Sequence, residues 1–223
     1  EVLASWDYVK TFLREDGLLP FAIVPGQAGT TVQMKLPQKD ESYPFTVEKN
    51  GGAYCHWFPG NPLLMLPNVT FIQMADAIVR HTGDRAWLAA QVPILRRVAD
   101  WMTRQVNAEG LVRGGGFYIE RPTRLDHDGV TQCYTAHAFR LAAQLVGEPA
   151  YLAVADRITA AFCTRFWAGD HCVEYINPEH GPISRHGLTD VDWAAIATGL
   201  ATPEQVKVLW PKLQHELDFI YEG

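Results

Sequence analysis

The feature that most limits what this chain can become is an internal echo. "TGDRAWLAAQVPIL", starting at Thr82, and "VGEPAYLAVADRIT", starting at Val146, carry glycine, acid, alanine, aromatic, leucine and alanine at matching positions. Their glycines, Gly83 and Gly147, lie 64 residues apart, and a looser third copy, "TGLATPEQVKVLW", begins at Thr198. Self-similarity at such a period marks a repeated supersecondary unit that cannot bury its apolar face alone and must stack on its neighbours.

Within each unit the apolar spacing is helical. Phe71, Ile72, Ala75, Ile78 and Val79 form a stripe that stops at Gly83, with Asn68, behind Pro67, as the expected N-cap. Helices are expected over about 85–107, with Trp87, Ile94, Leu95, Val98, Trp101 and Met102 inward, and over about 129–146, with Val130, Tyr134, Ala138, Leu141 and Leu145 inward. Further helices are expected over about 150–167, 190–198 and 203–213, with a β-hairpin at 172–187. The chain opens in another helical pattern, Trp6, Val9, Phe12 and Leu13, with Gly17 as its stop. Residues 18–61 differ: prolines and glycines break up short β-prone runs, which reads as a loop-rich excursion with one or two small hairpins. The expected class is mainly all-α: antiparallel helical hairpins stacked as a toroid or solenoid in a single domain over 1–223, with small β-hairpins in the long loops. Both ends lie within amphipathic patterns, so a fragment of a longer architecture is expected, completed by a missing segment or a second chain.

Composition narrows the function classes. A net charge of −6 offers no basic stripe for nucleic acid, and no apolar run approaches the roughly 18 residues of a membrane span. Cys55, Cys133, Cys163 and Cys172 lack CxxC spacing and read as free thiols, although Cys163 and Cys172 could close a short loop in an exported protein. They leave the compartment open, with the cytoplasm favoured over export. No metal or cofactor is expected: "DHD" at 126–128 lacks the glycine-centred remainder of a calcium loop, and there is neither a P-loop nor a GxSxG nucleophile motif.

Short glycine turns join the helices of each hairpin on one rim, so the long loops all emerge on the other, where binding groups collect. "TGDRAWLAAQVPIL", "TAHAFRLAAQLVGEPAYLAVADRI" and "DVDWAAIATGLATPEQVKVLWPKL" resemble successive segments of the six-hairpin (α/α)6-toroid glycosidases, and among them the catalytic domain of the bacterial α-L-rhamnosidases of glycoside hydrolase family 78. The resemblance runs from about Leu66 to the C-terminus. It implies an (α/α)6 toroid, a carbohydrate substrate, and inverting hydrolysis of a non-reducing-end sugar by two carboxylates, one in the loop after the third or fourth toroid helix and one much later in the chain. The loop here reads Gly-Phe-Tyr-Ile-Glu, where the family's typically reads Gly-Asp-Trp.

Glu120, Asp126 and Asp128 occupy that loop and are the candidates for the general acid. Such an acid must keep its proton near neutral pH, which apolar neighbours or a second carboxylate achieve by disfavouring its charged form. Phe117, Tyr118 and Ile119 before Glu120 supply the first, while Asp126 and Asp128 are natural like-charge neighbours. Arg121 and Arg124 could instead pair with the acids, and Asp128 could simply cap the helix at Gly129. Sugar rings present flat C–H faces and hydroxyls, so candidate binding residues are His56, Trp57, Tyr118 and Arg124, together with His186, Asp190, Asp192 and Trp193 in "HGLTDVDWAA". One of these aspartates is expected to serve the helix start. The rival reading is a non-catalytic carbohydrate-binding or scaffold module built from the same hairpins.

Overall fold

The computed structural model describes residues 2–20, 22–25, 32–35, 42–50, 53–57, 65–113, 127–184 and 189–222. In chain order the helices are α1 (Val2–Lys10), α2 (Met65–Thr82), α3 (Arg85–Thr103), α4 (Gly129–Val146), α5 (Pro149–Arg165), α6 (Asp190–Ala197) and α7 (Pro203–Glu222). Between α1 and α2 run β1 (Ala22–Pro25), β2 (Val32–Lys35), β3 (Ser42–Asn50) and β4 (Ala53–Trp57), an antiparallel sheet of order β1-β4-β3-β2. β5 (His127–Asp128), β6 (Tyr175–Asn177) and β7 (Gly181–Ile183) form a second antiparallel sheet of that order.

The repeat is a set of three hairpins, α2–α3, α4–α5 and α6–α7. Each turns on a glycine in the left-handed region: Gly83 at φ 68°, Gly147 at 71° and Gly199 at 71°. Only glycine reaches that region without steric cost, and it lets the turn N–H bond back into the helix: Gly83 N to Val79 O at 2.8 Å, Gly147 N to Ala143 O at 3.0 Å. α4 packs between α2 and α6 in an inner layer, and α3 and α5 pack against it as well. α4 is the hub, touching α2, α3, α5 and α6, and eleven of its residues are buried, from Gly129 to Leu145. Alanine at 136, 138 and 142 lets its neighbours approach closely around Phe139.

The hairpins are clipped to each other through the echoed segments. Glu148 pairs with Arg96 at 3.3 Å, and the Tyr151 hydroxyl donates to Asp100 at 2.7 Å, joining α5 to α3. Trp6 of α1 stacks on Phe71 with ring centroids 3.8 Å apart and donates its Nε1–H to Gln91 at 3.2 Å, so α1 is fixed to α2 and α3. A second echo, "DGLL" at Asp16 and "EGLV" at Glu109, proves structural as well. Gly17 and Gly110 both have positive φ and press against the backbone of an outer helix, at Arg97 of α3 and Arg157 of α5.

The structure corrects several boundaries. Asn68 is not an N-cap: α2 begins at Met65, because a proline at the third helical position forfeits only an N–H that has no partner in the first turn. Asn68 instead is fully buried, donating to Gly17 O at 2.9 Å and accepting from Leu19 N at 3.0 Å. α1 ends at Lys10, where i→i−3 bonds over Thr11, Phe12 and Leu13 tighten the chain, rather than at Gly17. α3 stops at Thr103 and not Asn107, and α7 passes Leu213 to reach Glu222. Cys133, Cys163 and Cys172 are free thiols, so the short 163–172 loop is not closed by a disulfide.

Two classes of glycine should therefore respond differently to alanine. Gly83→Ala and Gly147→Ala, whose added Cβ meets nothing within 4 Å, should each lose about 1–2 kcal/mol in urea unfolding, the cost of a left-handed alanine. Gly110→Ala should lose clearly more, because its Cβ would lie 2.7 Å from Arg157 O. Equal losses in all three would contradict this division.

Candidate active site

Alternation of inner and outer helices puts the N-termini of α2, α4 and α6 on one rim, the rim to which all three long loops deliver the chain. Helix N-termini carry unpaired N–H groups and partial positive charge, so this rim favours carboxylates.

The described centre of the rim is a hydrogen-bonded knot at the start of α4. Gln132, one helical turn in and 1% exposed, holds both backbone groups of Val112: its Oε1 accepts from Val112 N at 2.7 Å and its Nε2 donates to Val112 O at 3.1 Å. The same Nε2 reaches Asp128 O at 3.2 Å. His127 Nδ1 lies 2.7 Å from Val112 O, and since a carbonyl only accepts, Nδ1 carries the proton. Val112 and His127 are thus tied together across the segment that carries Glu120 and Asp126. The third long loop joins the same knot. His127 and Asp128 pair with Ile176 and Tyr175, and Gly129 N donates to Glu174 O at 2.9 Å. A side chain at Gly129 would put Cβ 2.6 Å from Val191 of α6, which explains why glycine opens this helix.

Three carboxylates are buried among the described residues, Asp128, Glu174 and Asp192, and all lie on this rim. Asp128 is the N-cap of α4: its Oδ2 accepts from Thr131 N and from Thr131 Oγ1, both at 2.8 Å. Asp192, in the first turn of α6, accepts from Cys172 N at 2.7 Å, tying that helix to the end of the α5 loop. Burial pushes its carboxyl above the usual aspartate range, and the Cys172 N–H offsets this in part. Glu174, 2% exposed, stands in the segment between α5 and β6. The sequence reading passed over it. Its available signal was an acid set in "CVEYI", a run otherwise apolar or aromatic on the long-loop rim.

The other expected site residues divide cleanly. Asp190 is the first residue of α6, half-buried, behind Thr189, whose hydroxyl donates to Glu216 at 2.8 Å. Trp193 is half-buried, and its ring meets Trp210 of α7 edge-on at 6.1 Å. His56 lies in β4 between Ala22 and Val47, and Trp57 opposite Thr46, in the sheet of the first long loop. Glu120, Asp126, Tyr118, Arg124 and His186 lie outside the described residues. The knot therefore brings together Asp128, His127 and Glu174, and the Cys172 bond adds Asp192.

Two measurements follow from this geometry. Gln132→Leu keeps the volume but leaves Val112 N–H buried without its partner, while Val112 O keeps the bond from His127, and it should cost about 1–3 kcal/mol in urea unfolding. Asp192 has a raised folded pKa, so its contribution to stability is full below the ordinary aspartate value and is lost as pH rises through the raised one. Asp192→Asn retains an acceptor for Cys172 N and should match the wild type near pH ~4 but exceed it near pH ~7. A lower neutral-pH stability would show that the ionised carboxylate is the favoured form.

No family model matches the sequence, and no curated protein matches it. Solved structures do. The GH78 family rhamnosidase of Bacillus sp. GL1 superimposes with a TM-score of 0.57 at 18% identity, over 65% of this chain and 17% of that one. A rhamnosidase from Klebsiella oxytoca, solved with rhamnose bound, gives 0.63 at 15% identity, over 95% of this chain and 38% of that one. The chain thus spans well under half the length of either neighbour. At these identities the likeness shows fold alone: the mainly helical architecture of stacked hairpins described above is shared with part of each of these rhamnosidases.

Proposed function

We propose that the chain carries part of a glycoside hydrolase active site that cleaves a non-reducing-end sugar by carboxylate general acid–base catalysis. The observation that supports this most is the fastening of the acid-bearing segment. Val112, before it, is bonded to Gln132 in the first turn of the hub helix, and His127, after it, is bonded to Val112, on the rim where the described buried carboxylates gather.

Hydrolysis of a glycoside needs one carboxyl that delivers a proton to the leaving oxygen and one that activates water. Glu120 and Asp126 are the candidates for the acid. Asp128 supports them from the helix start, since both of its hydrogen bonds to Thr131 serve the cap. Glu174 adds a buried carboxylate to the same rim within this chain. Inversion needs the two carboxyls about 6.5–9.5 Å apart, with water between them. Tyr118, Arg124, His186 and the His56–Trp57 pair supply the stacking and hydroxyl-binding groups. The rhamnose bound in the Klebsiella enzyme makes an α-L-rhamnoside the first substrate to test.

The test is a panel of aryl glycosides, headed by the α-L-rhamnoside, with Glu120→Gln, Asp126→Asn and Glu174→Gln. Loss of the acid should lower kcat about 10²–10⁴-fold, less on substrates with an activated leaving group. Product anomers read by NMR give the stereochemistry. Undiminished kcat in all three variants would remove these residues from the mechanism. Sugar binding by the wild type without turnover would support a non-catalytic module.

A further inference from the structure

Off the ring of inner-helix N-termini lies a second concave surface, a cleft of about 650 Å³. Its described walls come from the turn after α3, the C-terminal end of α5, and the β6–β7 hairpin, with His127 at its inner edge. No described lining residue belongs to α2, α4 or α6, and the cleft adjoins the rim already considered at His127 and Ile176. A volume of this order is that of a small-molecule site.

The walls are preorganised. Asn177 Oδ1 accepts from Glu179 N and His180 N, both at 2.9 Å, which fixes the hairpin lip, and Pro178 and Pro182 stiffen it further. Trp167 is bridged through its backbone to Cys172 and packs half-buried against the core, so it offers an apolar surface to the cleft. His127 donates through Nδ1 to Val112 O, which leaves its Nε2 as the ring atom open to a ligand. Asn107 accepts through Oδ1 from Leu111 N at 2.8 Å, which turns its amide NH₂ group into the available donor. Glu109 and Arg165 pair across the mouth and join the α3 turn to the end of α5.

That ion pair decides the class of ligand. Glu109 and Arg165 are the formally charged residues of the described wall, and their charges cancel. Among the described lining residues a phosphate or a uronic acid would find no uncompensated cation. A purely apolar ligand would bury the remaining polar atoms of His127 and Asn107 without partners, at a cost. A neutral pyranoside meets both conditions: its C–H face stacks on a ring such as Trp167, and its hydroxyls both donate and accept. We propose that this cleft is a second, peripheral carbohydrate site that binds a neutral pyranose unit and holds a saccharide chain beside the catalytic rim. The preference for a saccharide over another neutral polyol rests on the hydrolase reading.

The experiment is a ¹H–¹⁵N titration of the whole chain with L-rhamnose, D-glucose and D-glucuronate. The Trp167 indole peak is assigned by its loss in Trp167→Phe. The expected result is a saturable shift of that peak and of the Asn107 and Asn177 amides with either neutral sugar, with glucuronate at least about tenfold weaker. Glu109→Gln, a change at a mostly exposed side chain, leaves Arg165 unpaired and should narrow the gap between glucuronate and the neutral sugars. Should Trp167→Phe fail to fold, the Asn107 and Asn177 amides and Glu109→Gln carry the same test. No saturable shift with either neutral sugar overturns the proposal, as does wild-type binding of glucuronate at equal strength. Shifts without hydrolysis of any aryl glycoside would sink the hydrolase reading alone, and hydrolysis without shifts would sink this one alone.

Discussion

Gln132 grips Val112 by its N–H and its C=O, as a neighbouring β-strand would, and the rim is organised around that grip. Inside a low-dielectric interior each of these bonds is strong, and either group left bare would carry its full desolvation cost. A helix can hold a loop this way because the carboxamide offers donor and acceptor on one rigid plane. With Val112 fixed, His127 bonds to the same carbonyl, Asp128 caps α4 beside it, and Gly129 receives the third loop through Glu174 O. Two long loops and two inner helices meet at one point that tolerates little displacement.

The hub position of α4 follows from its composition. Alanines and a glycine on its faces let α2 and α6 approach, while Phe139 fills the space between it and α5. The outer helices need only one apolar stripe each, which is why α3 is amphipathic while α4 is buried along most of its length. Such a scaffold supplies rigidity at its N-terminal rim and leaves chemistry to the loops. That division matches the placement of the described buried carboxylates, and it also leaves room at the periphery for the cleft beside Trp167.

Much of the scaffold was legible in the sequence, because helical spacing and glycine turns are local signals. Gly83, Gly147 and Gly199 sit at the three hairpin turns, and α4 spans the same Gly129–Val146 that its apolar rhythm indicated. The capping alternative for Asp128 was also readable, since an acid before Gly-Val-Thr is a local pattern. Asn68 was misread because its partners, Gly17 and Leu19, are some fifty residues away, and no local rule reveals a polar side chain recruited across the fold. Gln132 and Glu174 were missed for the same reason: a buried glutamine in an apolar helix and an acid just before a short strand acquire meaning only from the loop packed against them. The pairing of His127 and Asp128 with β6 likewise depends on contacts between loops distant in sequence.

Native-state hydrogen exchange of individual amides tests this central role most directly. If the knot is part of the core, the N–H groups of Val112, Gly129 and Thr131 exchange only with the same opening that exposes Phe139 and Ala142 in the middle of α4. In Gln132→Leu, Val112 N–H should then lose protection while Phe139 keeps it under conditions where the variant stays folded. Exchange of Val112 in the wild type at a rate typical of a surface loop, independent of α4, would contradict the account.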